Sequence, residues 1–446
     1  MQTMVNEDNS RTGRETDGNE SGVSSGTLSS PSRRRAFLGS VGAAAAVGLA
    51  GCMGGGGSGP SGAFKIGVLA PEPSKNPIGS SIANAAKYAA TTLNENDGVL
   101  GNDVEVVVKD THEDPATGKS KYQELTVGEE VDFTTGVFTS EVMLNLMDSI
   151  AEQSTVHMNA GSATPDTAKQ VKADYEKYKY YFRSGPVNSH YLGQNMIDFA
   201  DAKFSDLGWD SVAVLAEDYA WTEPVTSVLE DKLAATGVDV PISKRYASGT
   251  SDFSPIYDDI ESSDADAAYV VMAHTGTSAI VQWAKQQRAF EFGGIHVPMQ
   301  FPSYYGSVNG ANRYAVVQNS ATPNAAVTEK TMPFNEGYYD QFDSYPVYTG
   351  YHTYDAVMSY VNAATAADSR NADDVIPEIE SQSFTGTAGT VSYYGQDQAY
   401  PHDLVYGQDA AWPLWFQWQE GDGSGSQTTL WPDELASGSY QKPPWV

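Results

Sequence analysis

Residues 64–109, FKIGVLAPEPSKNPIGSSIANAAKYAATTLNENDGVLGNDVEVVVK, decide how the rest of the chain is read. The run 64–69 is a short apolar stretch of the kind that forms a buried strand. Ile82, Ala85, Ala86, Ala89 and Leu93 then fall on one face of a helix, and 104–109 reads as a second strand. Strands that alternate with helices of this length predict a parallel sheet with helices on both faces.

Outward from that unit the alternation continues. Asp114 and Pro115 occupy the N-cap and first-turn places of a helix. A strand follows at 131–138, then a helix marked by Val142, Leu146, Met147 and Ile150, and a strand at 155–159. The pattern restarts after Gly185-Pro186, with a helix over 190–202, a strand at 211–216 and a helix over 223–236. Strands at 238–246 and 268–273, a helix over 277–290, and strands at 295–299 and 314–318 complete a second βα unit of similar size. Beyond Pro323 come helices over 351–367 and 373–382 and β-like runs at 390–394 and 412–418. The fold class is therefore α/β, with no internal repeat of 20 to 50 residues.

The chain has 446 residues, enough for two or three domains. With 26 Lys+Arg against 57 Asp+Glu its net charge is −31, which excludes nucleic acid and anionic membrane surfaces as partners. An excess of this size repels itself in dilute buffer, but at molar salt the Debye length falls to about 3 Å and screens it. The composition is that of a halophile protein. A hydrophobic content of 40% with 11% aromatics excludes a disordered acidic chain.

One cysteine, Cys52, rules out disulfides within the chain and thiol chemistry in the body. It ends the run Leu49-Ala50-Gly51-Cys52, which follows Arg34-Arg35-Ala36-Phe37-Leu38 and an Ala- and Gly-rich stretch too short to span a bilayer. The arginine pair resembles a twin-arginine export signal and the second run a lipobox, so residues 1–51 are expected to be a signal peptide and Cys52 the lipid-bearing residue. Residues 52–63 read as a Gly/Ser-rich tether. Because 1–51 holds five Arg and five acidic residues, the acidic excess belongs to the body. The expected location is the extracellular face of the cell membrane, with membrane contact through the anchor only.

A set of landmarks runs through the body: Phe64-Lys65-Ile66-Gly67-Val68, Asp114-Pro115, Gly136-x-x-x-Ser140, Ser162-Ala163-Thr164-x-Asp166, Tyr181-Phe182-Arg183 and Glu217-Asp218-Tyr219-Ala220-Trp221. Asp252-Phe253, Tyr354-Asp355-Ala356-Val357 and Gly386-Thr387-Ala388-Gly389-Thr390-Val391 follow. In this order they resemble the type I periplasmic-binding fold, in the branch typified by the leucine/isoleucine/valine-binding protein, over about 64–420. The resemblance implies two discontinuous Rossmann-like lobes joined by a three-strand hinge: lobe one at 64–184 and 323–389, lobe two at 185–322 and 390–440. Hinge rotation would close them on a ligand at the strand C-termini.

The resemblance implies that Ser140, Ser162, Ala163 through its backbone, and Thr164 hold a ligand carboxylate, as hydroxyls and helix N-terminal amides can. The alternative is that these Ser and Thr residues are ordinary helix caps, and the two roles can coexist. Trp221 would cover an apolar or cationic part of the ligand, or else pack in the core. His274 and Ile78 match further pocket positions. Amino-acid binders of this family often place an acid after the strand corresponding to 295–299, where this chain has Gln300-Phe301-Pro302-Ser303-Tyr304-Tyr305. Asp218 could substitute for it, or Tyr304 and Tyr305 could form an aromatic cage, or the ligand could lack an ammonium.

The expected role is a solute-binding protein, not an enzyme, without cofactor or metal. Its small-molecule ligand would be an amino acid, amide or organic acid, delivered to an ABC permease/ATPase complex. A lipoprotein that presents its solute to a sensory transducer would share the same pocket. A secreted hydrolase would need a nucleophile elbow or metal motif, and neither G-x-S-x-G nor H-E-x-x-H occurs in the body that follows residues 1–51. His112-Glu113-Asp114 reads as a helix-capping loop.

Overall fold

The computed structural model describes residues 62–421 and 425–446; the expected signal peptide with Arg34 and Arg35, the expected lipid-bearing Cys52, and the expected tether up to residue 61 lie outside the described residues. The first five strands are β1 (Phe64–Ala70), β2 (Val104–Asp110), β3 (Phe133–Gly136), β4 (His157–Asn159) and β5 (Tyr181–Arg183). They form one sheet in the order β2-β1-β3-β4-β5, every pair parallel. Central β1 is buried at every residue but Lys65, as a strand covered on both faces must be.

The helix Pro77–Asn94 follows β1 for readable reasons. Asn76 caps it, its side chain accepting from the Ile78 N–H, and Pro77 opens the first turn. Its buried face includes Ile78, Ile82, Ala85, Ala86, Ala89 and Leu93, and the alanines let it lie close to β1 and to the helix Tyr348–Ala367. Asp114 caps the helix Pro115–Gln123 as expected, accepting from the Thr117 N–H at 2.7 Å.

The second sheet takes β6 (Ser211–Glu217), β7 (Asp239–Tyr246), β8 (Ala267–Met272), β9 (Glu291–His296) and β10 (Val316–Asn319). After a two-stranded hairpin, β11 (Phe384–Thr385) and β12 (Thr390–Val391), the sheet gains β13 (Leu414–Gln419) and β14 (Ser426–Trp431). The order is β14-β13-β10-β9-β8-β6-β7, with β13 and β14 antiparallel at one edge and the rest parallel. The five parallel strands repeat the order of the first sheet, second-first-third-fourth-fifth. This is the doubly wound arrangement that places a ligand crevice at the strand C-termini.

Late segments complete early sheets. Tyr360, on the helix Tyr348–Ala367, stacks on Phe133 of β3 at 4.1 Å and meets Phe64 of β1 at 6.1 Å. Trp415 of β13 stacks on Phe199 at 4.0 Å and lies 5.9 Å from Tyr269 of β8. Such pairs add about 0.5–1.5 kcal/mol each beyond burial. Residues 392–403, assigned by the sequence to the second lobe, make polar contacts with the first. Tyr393 Oη meets Ser184 Oγ at 2.9 Å and Ser359 Oγ at 2.8 Å, and Asp403 pairs with Arg183 of β5.

Several elements differ from the periodicity reading. β9 lies at Glu291–His296, four residues before the expected 295–299, which is instead largely a 3-10 turn at Val297–Gln300. Gly293-Gly294 hid the strand, because packing there excludes side chains. A Cβ on Gly294, at φ +134°, would fall 2.2 Å from the Val270 carbonyl oxygen. The helix Ser254–Ser262 and the strands β5 and β14 are further elements that the periodicity reading did not place.

Candidate functional site

The strand ends build the site. β3 terminates at Gly136, whose φ of +106° and close approach to the Leu69 carbonyl, 2.2 Å from a would-be Cβ, admit only glycine without strain. The chain then turns through 137–139 into the helix Ser140–Gln153, whose N-cap Thr139 makes no side-chain cap bond. Beyond β4, the Thr164 N–H donates to Ser140 Oγ at 3.2 Å and ties the two loops together. Opposite them stand the ends of β6, β8 and β10.

Between these ends lies a cavity of about 60 Å³. The first lobe lines it with Phe138, Thr139, Ser140, Glu141, Gly161, Ala163 and Tyr348. The second contributes Leu192, Trp221, Ala273, His274, Ile295, Val297, Gln300, Gln318 and Asn319, and the crossing segments add Pro186, Ser320 and Pro413. The walls are mainly apolar, with a few fixed polar groups, the usual make-up of a small-molecule site. Neither Lys nor Arg is among the lining residues.

At the mouth the lobes touch. Glu141 Oε1 accepts from the Ala220 N–H at 3.4 Å, and the Phe138 ring lies 6.0 Å from that of His274. His274 stacks on Tyr219 at 4.0 Å, and its Nδ1 pairs with Glu217 Oε1 at 2.9 Å. Glu217, wholly buried at the end of β6, also receives the His274 N–H at 2.9 Å and the Thr275 hydroxyl at 3.2 Å. Burial pulls the His274 imidazole down, but the hydrogen bond and charge of Glu217, with Glu113 and Glu141 nearby, leave it raised.

Four residues singled out from the sequence lie at the cavity: Ser140, Ala163, Trp221 and His274. Ser162 and Thr164 sit one layer behind, each 1% exposed, their carbonyls receiving the Arg183 guanidinium. Asp218 does not reach the cavity; its carboxylate pairs with Arg245 Nη2 at 2.9 Å on the outer side, because β7 runs beside β6 and brings Arg245 there. Tyr304 is buried with its hydroxyl donating to Thr277 Oγ1 at 2.9 Å, and Tyr305 lies 5.8 Å from Trp418; neither is among the lining residues. Ile78 packs in the core of the first lobe. Periodicity could not single out Glu141, Gln300 or Tyr348, since their place at the cavity depends on how separate loops face one another.

A pair of doubly wound lobes with a mostly apolar cavity between their strand ends defines a two-lobed, type I periplasmic-binding fold. The family model described as "Periplasmic binding protein" matches residues 63–408, and the chain belongs to that family. It is 23% identical over 367 residues to the Leu/Ile/Val-binding protein homolog 2 of Brucella abortus, covering 80% of this chain and 91% of that protein. It is 26% identical over 289 residues to the chemotactic signal transduction system substrate-binding protein BasB of Halobacterium salinarum, covering 62% of this chain and 67% of that one. Among solved structures, the solute binding protein of an ABC transporter from Rhodopseudomonas palustris, in complex with 3,4-dihydroxybenzoic acid, superposes with a TM-score of 0.68. That match has 19% identity and covers 86% of this chain and 99% of the other.

Proposed function

We propose that this protein is an extracellular, lipid-anchored solute-binding protein that captures a small carboxylate-bearing solute between its lobes and delivers it to an ABC importer. The observation that carries the reading is the cavity where Ser140 and Ala163 of one lobe face Trp221 and His274 of the other. A carboxylate is favoured by the Ser140 hydroxyl and by the first-turn N–H groups of the helix Ser140–Gln153, left uncapped by Thr139. Export and anchoring rest on the Arg34-Arg35 and Leu49-Ala50-Gly51-Cys52 runs. The kinship with Leu/Ile/Val-binding proteins supports transport.

A ligand specific for the folded state and present at 100 times its Kd adds about 2.7 kcal/mol of stability. A thermal-shift screen of amino acids, amides and carboxylates in molar salt should therefore return at least one stabilising class. Silence from all three overturns the reading.

A second reading is favoured by the similarity to a chemotactic substrate-binding protein of Halobacterium salinarum. Here the same closed form docks on a membrane transducer. Cross-linking of the anchored protein in its own membranes separates the two: a permease–ATPase adduct supports import, a transducer adduct sensing.

A further inference from the structure

Two residues of the second lobe that line the cavity each carry a buried polar atom with no protein partner. Gln300 and Trp221 both line it and are 7% and 9% exposed, and neither Gln300 Oε1 nor Trp221 Nε1 has a hydrogen bond. Leaving such a group unpaired costs about 1–3 kcal/mol. Each atom therefore asks for something of the solute: Gln300 Oε1 for a donor, Trp221 Nε1 for an acceptor.

The Gln300 amide cannot simply turn over. Its Nε2 donates to the Gln318 carbonyl at 2.8 Å, and a flipped amide would set two acceptors against each other. Gln318 is itself held, with Nε2 donating to Asn195 Oδ1 at 2.7 Å and to the Leu192 carbonyl at 3.1 Å. Gln427 Nε2 lies 3.4 Å from the Gln300 carbonyl. The groups that hold Gln300 are thus amides and carbonyls, all uncharged. The one carboxylate that lines the cavity, Glu141, is engaged at the mouth by the Ala220 N–H.

An ammonium brought to Gln300 would leave water for a neutral amide oxygen whose holding groups carry no charge, which is costly in an apolar pocket. A hydroxyl or carboxamide N–H satisfies the same oxygen without burying a charge. We infer that Gln300 is a specificity-determining residue that reads an uncharged donor, so that, within the binding role proposed above, the pocket prefers a hydroxy- or carboxamide-bearing organic acid to the amino acid of the same shape.

Calorimetric titration of the full-length protein in molar salt tests this with two matched pairs. These are 2-hydroxy-4-methylpentanoate against L-leucine, and 4-hydroxybenzoate against 4-(aminomethyl)benzoate. In at least one pair the hydroxyl member should bind at least tenfold more tightly, and Gln300→Glu should shrink or reverse that ratio. Gln300→Leu, which has no acceptor, should abolish the preference, and serves if the glutamate variant melts early. Tighter binding of the ammonium member, or ratios unchanged in a folded variant, overturns the inference. Silence from both pairs while another solute binds overturns it alone; silence from every solute class overturns the binding role beneath it.

Discussion

Arg183 and Asp403 form an ion pair across 220 residues of chain, Nε to Oδ1 at 2.8 Å, with neither side chain exposed. The guanidinium also donates to the carbonyls of Ser162 and Thr164 and, at 2.9 Å, to Thr167 Oγ1; Asp403 accepts from Asn188 Nδ2 at 2.7 Å. Asn188 caps the helix Ser189–Leu207, so one pair joins the loop behind the cavity to two of the segments that cross between the lobes.

Removing one member of a buried pair strands the other charge, at a cost of about 3–5 kcal/mol, whereas replacing both with apolar groups costs less. Asp403→Ala should lower the urea midpoint by that equivalent, and Arg183→Met with Asp403→Leu should recover part of the loss. A single variant as stable as the wild type would refute the role given to the pair.

The His274–Glu217 pair sets a pH window. Burial raises the Glu217 carboxyl, but the His274 hydrogen bond and charge bring it below the ordinary carboxylate value, while His274 stands above the ordinary imidazole value of about 6.5. The raised histidine contributes stability that is fully present below its unfolded value and lost as pH rises through its folded one. Glu217 contributes stability present above its unfolded value and lost as pH falls through its folded one. With Glu113 and Glu141 also facing His274, the melting temperature in molar salt should fall on the alkaline side of the ordinary histidine range. His274→Gln should flatten that slope; an unchanged slope assigns it elsewhere.

Trp221→Phe removes an indole N–H that no protein group uses. Folding stability should stay near wild type, while affinity for a bound organic acid falls by roughly 2- to 12-fold, the equivalent of one hydrogen bond at about 0.5–1.5 kcal/mol. Calorimetric titration beside a thermal melt separates the two effects. A melt depressed as far as the affinity would make Trp221 a packing residue only.

The net charge of −31 predicts a salt requirement. Thermal melts should rise between dilute buffer and molar potassium or sodium chloride, most of the gain coming as the Debye length shrinks toward about 3 Å. Equal melting temperatures at both ends would show that the charge is already balanced locally.

The proposed lipid attachment at Cys52 predicts that Cys52→Ser releases the protein into the medium, read by blotting cell and medium fractions. Retention of the variant on the membrane would refute attachment at that residue.

The sequence by itself determined the alternation of strand and helix, the doubling of the βα unit, and the loop that carries Ser140. These depend on periods of 2 and 3.6 and on caps such as Asp114, which are written in neighbouring residues. Where packing overrides the local period, as at Gly293-Gly294, β9 could be placed only by the neighbours that forbid a side chain. Tertiary structure alone decided which polar groups meet at the cavity. It drew Asp218 to Arg245, tucked Ser162 and Thr164 behind the wall with Arg183, and turned Ile78 into the core. It also brought Glu141 to Ala220 and left Gln300 Oε1 buried without a partner. A side chain's role there depends on strand ends from two sheets and three chain crossings facing one another, a long-range arrangement that no window of adjacent residues encodes.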